Sequence, residues 1–286
     1  KEVFTMNAKK IGFIDYYLDE WHSNNYPKMI SKQSGGRYEV ALAYAEVPSP
    51  RPGGRTNEKW SADMNIPLET SMDELIEKSD VLIVLSPDNP EQHLRLSEAA
   101  LKSGKRTYID KTFAPDAETA RAIFDIADKY GTPCWSSSAL RFADVYKDVP
   151  KAISRLQAFG GGEFKMYLIH QLEPIVKLMG CDIKRVMSVG NDKFPSILIE
   201  FKDGRTTETN QYNGADFSMK LGYCDGSYSE FKVGGEFWTR CIDSLIEFFD
   251  TGRVIVPHEE TIAIAAVRAA AIKAAAQPYE WVSVEV

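Results

Sequence analysis

Histidine and cysteine are scarce in this chain of 286 residues, with four of each. The cysteines, Cys134, Cys181, Cys224 and Cys241, are widely spaced and form no Cys-x-x-Cys pair, so neither a zinc knuckle nor a disulfide framework is indicated. A basic excess is missing too. The 34 Lys and Arg stand against 41 Asp and Glu, a formal net charge of -7, which argues against nucleic acid because phosphate binding asks for clustered cations. Apolar runs of membrane-spanning length are absent, the most apolar segments being strand-sized and flanked by charge. Repeats and low-complexity linkers are absent as well. The expectation is a cytoplasmic protein with a small-molecule partner, long enough for two modest domains.

What is there is an alternation of short apolar runs and amphipathic stretches. Lys10 to Ile14 and Tyr38 to Val47 read as strands, Asp73 to Lys78 as a helix tail, and Val81 to Leu85 as a buried strand. A turn, Ser86-Pro87-Asp88-Asn89-Pro90, leads into a helix that carries His93 and stops at Gly104, and the next strand ends at Asp110-Lys111. Apolar residues at Ala117, Ala120, Phe124 and Ala127 mark one face of a helix over 116–130, ended by Gly131, and Cys134 to Ser138 makes another strand. This order predicts a doubly wound parallel sheet with right-handed crossovers.

After Asp144 the rhythm changes. Arg185 to Val189, Ser196 to Phe201, Thr206 to Tyr212, Phe217 to Gly222 and Ser229 to Val233 read as successive strands, with an Asp203-Gly204 hairpin between two of them. Helices follow at 237–250 and, Ala-rich, at 259–277, and Trp281 to Val286 reads as a last strand. Strands without intervening helices mean a second α+β domain with a large, mostly antiparallel open sheet. The expected division is 1–143 and 144–286, with helix 259–277 a candidate to pack back on the first domain.

The segment from Ser79 to Pro115 places Lys111 at a strand's carboxyl end, where open α/β sheets bind ligands. The residues Ser86-Pro87, His93, Ala99-Ala100-Leu101, Gly104-Lys105 and Asp110-Lys111-Thr112 resemble the Gfo/Idh/MocA-type NAD(P)-dependent oxidoreductases of sugars and cyclitols. In these a TPN-like turn, a helix with an early His, a Gly-Lys end and a strand closing on Glu-Lys-Pro follow one another. The resemblance continues through Leu140-Arg141-Phe142 and the segment from Gly160 to Gly180 with His170. It implies a Rossmann-like first domain, NAD or NADP as cofactor, a carbohydrate-like substrate, and a homodimer or homotetramer formed through the second sheet.

The weakest part of the resemblance is the first turn. A dinucleotide site places Gly-x-Gly-x-x-Gly after the first strand, so that backbone amides and a helix N-terminus meet the pyrophosphate. Here Asp15-Tyr16-Tyr17-Leu18-Asp19-Glu20-Trp21-His22 follows instead, with Asp15, Tyr17 and Glu20 at the glycine positions. Three readings stay open. The loop is remodelled, with the helix starting near Asn24 to Pro27 and the cofactor lying along the rest of the crevice. Alternatively, dinucleotide binding is lost. In the third, Asp15, Asp19, Glu20 and His22 hold a hard metal ion, against which stands the ordinary solvated acidic loop. Tyr16, Tyr17 and Trp21 read as loop anchors or as a stacking platform. Glu46 stands where an acid accepts the ribose hydroxyls of NAD, followed by Arg51 and Arg55, which suit the phosphate of NADP; a strand-end acid is also often merely solvated. The resemblance assigns the cofactor to Asp15, Tyr16, Glu46, Ser86, Pro87, Asn89 and Asp110.

For the chemistry, the resemblance implies that Lys111 and His170 bracket the substrate carbon. Hydride transfer at a carbinol needs a group that takes or gives the hydroxyl proton, and His170 suits this by its ordinary pKa, with Lys111 polarising the oxygen. Met166 stands where many members carry an orienting Asp, so Glu173, one helical turn after His170, or Tyr167 is expected to orient the imidazole. Arg141, Tyr167 and Glu173 are expected to touch substrate. A lone His on an apolar helix is otherwise an ordinary core residue, Arg141 otherwise a partner for an acid, and His93 and His258 helix-start residues. The first hypothesis is an oxidoreductase of sugars, cyclitols or related polyols. A cofactor-free sugar-binding or regulatory protein and a non-redox lyase or hydrolase on the same fold are its rivals.

Overall fold

Consecutive buried residues from Ile11 to Asp15 make β1 (Lys9–Asp15) a strand covered on both faces, the pattern of a parallel sheet between helices. The computed structural model describes residues 7–147, 149 and 152–286. The described chain divides into two compact units. The first holds the residues up to Phe113, Ala122–Ser136 and Cys241–Ile255; the second holds Ala114–Arg121, Ser137–Arg240 and Val256–Val286.

In the first unit β1 is followed by α1 (Trp21–Gln33), β2 (Tyr38–Ala45), α2 (Asn57–Met64), α3 (Met72–Lys78), β3 (Val81–Val84), α4 (His93–Lys102) and β4 (Thr107–Ile109). Then come α5 (Ala117–Tyr130), whose later part belongs to this unit, and β5 (Cys134–Trp135). The strands pair in parallel in the order β2-β1-β3-β4-β5. The order reverses between β1 and β3, and a crevice outside the carboxyl ends of strands at such a point is where doubly wound sheets bind ligands. Asp15 ends one of these strands, and Leu85 and Ser86 follow the other.

The second unit is built on a sheet of β6 (Ile153–Gly160), β7 (Ile183–Ser188), β8 (Ser196–Phe201), β9 (Thr206–Gln211), β10 (Ser218–Tyr223), β11 (Tyr228–Lys232) and β12 (Trp281–Ser283), in the order β11-β10-β6-β9-β8-β7-β12. All pairings are antiparallel except β6 with β9. Between β6 and β7 lie the short α6 (Phe164–Tyr167) and α7 (Ile169–Met179), and α8 (Phe237–Thr251) and α9 (His258–Ala275) follow β11. Alternation along β8 turns Ile197, Ile199 and Phe201 inward, into a core shared with Leu172 and Val176 of α7 and Val267 and Ala271 of α9.

Several expectations need correction. Helix α1 begins at Trp21, not near Asn24 to Pro27, because Glu20 caps it. Strand β6 and helix α2 are additions to the expected elements. The Ala-rich helix α9 packs on β7, β12 and α7 within the second unit, whereas the later part of α8 belongs with the first, so the units interleave along the sequence where a single cut at 143/144 was expected. Phe248 and Phe249 of α8 are fully buried, with their rings 6.1 Å from Trp135 and 5.7 Å from Tyr38.

Candidate functional site

The carboxyl edge of the parallel sheet gathers buried charge. Asp15 at the end of β1, Asp110 just after β4, and Glu20 and His22 at the start of α1 are all buried. Glu20 is the N-cap of α1. Its carboxylate accepts the His22 amide at 2.6 Å and the Ser23 amide, while its own amide meets the Ser23 hydroxyl, a reciprocal capping box. Burial pushes the Glu20 carboxyl up, outweighing the lowering by His22 and the amides. Asp15 accepts the Tyr16 amide at 2.7 Å through Oδ1, and its Oδ2 is buried without a hydrogen-bond partner. Burial, and next the charge of Glu20, push it well above the carboxylate range.

Asp110 behaves oppositely. Burial pushes its carboxyl up, but the charge and hydrogen bond of His22 Nδ1, with Lys111 beyond, outweigh it and hold Asp110 low. Asp110 also accepts the Lys111 amide at 2.8 Å. The His22 ring stacks on Tyr26 at 5.0 Å. His22 is thus a neighbour of Asp110 through the fold, although 88 residues separate the two in sequence.

The rest of the acidic-aromatic loop is tied down. Tyr17 donates to Asp88 at 2.9 Å, and Arg51 pairs with the same carboxylate at 2.7 Å. Asp19 pairs with Arg55 at 2.7 Å, and Asn24 accepts the Trp60 indole at 2.8 Å. Asp19 therefore faces Arg55, and among the described residues no three of His, Cys, Asp and Glu are placed to hold a metal ion. The two arginines considered for the phosphate of NADP both have acid partners here. Glu46 pairs with Arg95 of α4 at the sheet edge, and its amide donates to Tyr16 O at 3.2 Å. Ser86 takes φ +76°, unusual for a residue with a Cβ, in a turn closed by the Asn89 amide on Ser86 O at 3.1 Å. His93 is buried with its ring nitrogens on Phe113 O, at 2.9 Å, and Leu85 O, which fixes the turn to the strand ends.

The second unit carries its own polar cluster. Ser138 Oγ lies 2.7 Å from His170 Nδ1 and accepts the Leu140 amide at 3.3 Å. Glu173 and Tyr167 were expected to orient His170, and Ser138 is a hydrogen-bond partner of its Nδ1 that the expectation did not include. Glu173 is buried and instead accepts the Ser138 amide at 2.9 Å, the Ser137 hydroxyl at 3.3 Å and Arg141 at 3.1 Å. Arg141, expected at substrate, is buried between Glu173 and Glu260. Tyr167 touches His170 through its ring, edge-on at 5.2 Å, and Phe217 does the same at 5.7 Å. A Cβ on Gly162 would come within 2.2 Å of Tyr167, and one on Gly160 within 2.4 Å of Phe217, so these glycines leave room for the rings that flank His170. Sequence reasoning missed the Ser136-Ser137-Ser138 run after β5, whose last residue supplies a partner for the imidazole.

Residues 50–138 match the model of a family described as an oxidoreductase family with an NAD-binding Rossmann fold. That model is the Gfo/Idh/MocA one, and it covers less than half of the chain. The Gfo/Idh/MocA match takes in α2 to β5 with Lys111, and begins after β1, α1 and β2. No curated protein matches the sequence. Solved structures with the fold of the whole chain include GenD2 from gentamicin A biosynthesis in complex with NAD, at 11% identity over 100% of this chain and 99% of that one, with a TM-score of 0.77. Scyllo-inositol dehydrogenase from Lactobacillus casei, with bound NAD(H) and scyllo-inositol, is 12% identical over 97% of this chain and 99% of its own, with a TM-score of 0.76. An oxidoreductase from Thermotoga maritima is 13% identical over 97% and 98%, with a TM-score of 0.73. At these identities the likeness is one of fold.

Whether the residues fit a dinucleotide can be judged at the sheet edge. Asp15 Oδ2 and Thr112 Oγ1, near the carboxyl ends of β1 and β4, are buried without a hydrogen-bond partner, a demand that polar groups of a ligand meet. This part fits. The amides of α1, which a pyrophosphate would use, are taken by Glu20.

Proposed function

We propose that the protein is an NAD(P)-dependent oxidoreductase acting on a CH–OH group of a sugar, cyclitol or related polyol. The observation that carries this reading is the family match over 50–138, which includes the strand-end segment Asp110-Lys111. The nicotinamide, when bound, accepts or supplies the hydride. Lys111, two residues beyond β4, polarises the substrate oxygen, and the buried Asp110 keeps a negative charge beside it. His170 exchanges the hydroxyl proton, and Ser138, which can donate to or accept from Nδ1, serves either tautomer. Tyr167, 44% exposed beside His170, is the side chain of that segment placed to meet a polyol hydroxyl.

The test has two steps. Calorimetric titration of cofactor-stripped protein with NAD(H) and NADP(H) should give binding, and a polyol screen should then give turnover. Lys111→Ala should lower that turnover by about 100-fold or more while cofactor binding is kept. Unchanged turnover would remove Lys111 from the mechanism. Glu20 on the α1 amides favours a second reading, a cofactor-free carbohydrate-binding protein, and absence of dinucleotide binding at millimolar concentration would decide for it.

A further inference from the structure

We propose that Glu20 is an internal occupant of the phosphate cradle, so that NAD(P) brings its pyrophosphate to the N-terminus of α1 only after the Glu20 side chain has left it. The inference rests on the NAD(P) reading above.

The geometry is that of a bound anion. Helix α1 has 13 residues and starts beside the end of β1, at the strand-order reversal, where a dinucleotide's phosphates meet a helix N-terminus. One oxygen of Glu20 accepts the His22 amide and the other accepts the Ser23 amide, so amides of the first helical turn hold an anion that the chain itself supplies. Glu20 is 1% exposed, which leaves no solvent layer for a phosphate to replace. The second observation is Asp15. Its Oδ2 is buried and unpartnered, and the charge of Glu20 is the largest influence on it after burial. A pyrophosphate added while Glu20 stays would place further negative charge beside Glu20 and the ionised Asp110; one that displaces Glu20 exchanges anion for anion.

The displacement needs a side-chain rotation and not a refolded loop. The backbone on either side of Glu20 is held independently of its carboxylate. Asp19 is fixed by Arg55, and the Ser23 hydroxyl donates to Leu18 O. Glu20 thereby lowers cofactor affinity without closing the site permanently.

The experiment is titration of wild type, Glu20→Ser and Glu20→Gly with NADH and NADPH, read by calorimetry and nicotinamide fluorescence. Serine keeps a helix cap with a side chain too short to fill the cradle, so Glu20→Ser guards against a loss of folding that Glu20→Gly could bring. At least a tenfold lower Kd for either variant supports the proposal. A wild type that binds as tightly as both variants overturns it and leaves the NAD(P) reading standing. Failure of all three to bind at millimolar cofactor overturns that reading and the proposal with it. A measurement without variants is the carboxyl 13C resonance of Glu20 in labelled wild type. A move to the position of a solvated carboxylate on saturation with NADPH supports displacement, and an unmoved resonance with cofactor bound overturns it.

Discussion

Asp15 at the end of β1 and Asp110 just after β4 lie on one sheet edge and respond to acid in opposite directions. Asp15 is held well above its ordinary 3.8, chiefly by burial, so the folded state binds its proton at a pH where the unfolded chain has lost it. Stability from this group therefore rises as pH falls through the raised value, and the gain is complete once the unfolded chain also protonates near 3.8. Asp110, held below its ordinary 3.8 by His22 against the effect of burial, contributes stability above that value and loses it as pH falls through the folded one. Asp15→Asn isolates the first effect. Urea unfolding of wild type and variant, compared from neutral pH down towards the ordinary 3.8, should show wild type gaining on the variant as pH falls. Parallel profiles would mean that Asp15 is not raised. Lys111 and His170 were singled out in the sequence because each sits in a motif. The links from Ser138 to His170 and from Arg141 to Glu173 and Glu260 were not, because they join residues 32 to 119 positions apart that only the fold brings together.

At the scale of elements, legibility followed the strength of the local pattern. Helix α5 shows its inner face as Ala117, Ala120, Phe124 and Ala127, and its expected span differs from the observed one by a residue at the start. The start of α1 escapes the sequence pattern for a reason visible in its cap. The usual signature has Ser or Thr at the cap and Glu three residues later, whereas Glu20 and Ser23 hold these places in reverse. Helix α2 is short and buries only Trp60. Strand β6 hides because Ser154 and Arg155, adjacent and both exposed, break the alternation around the buried Ile153, Leu156 and Ala158. Yet β6 lies between β10 and β9, inside the second sheet. Leu156 is fully buried in that core, and Leu156→Ala should cost about 2–5 kcal/mol in urea unfolding. A loss under about 1 kcal/mol would show that the site collapses around the missing atoms.

For the whole molecule, the sequence rhythm separated a parallel sheet from a mostly antiparallel one but could not show that neither unit is a single stretch of chain. The helix that returns to the first unit, α8, looks like any amphipathic helix, and its partners are far upstream. Phe248 and Phe249 fill space beside Trp135 and Tyr38, and Asp250 receives Arg37 at 2.8 Å and the Tyr38 hydroxyl at 2.9 Å. A chain cut at the boundary read from sequence, after residue 143, lacks all of these. Truncation of one buried Phe costs about 3–5 kcal/mol, and a whole domain is stable by about 5–15 kcal/mol, so two missing phenylalanines alone remove most of the margin. The 1–143 fragment should therefore show no cooperative thermal transition and poor amide dispersion in NMR spectra. The same fragment joined by a flexible linker to residues 241–255 should recover both. A 1–143 fragment that melts cooperatively by itself would mean that α8 is dispensable to the first unit, and that its buried phenylalanines cover a core already complete.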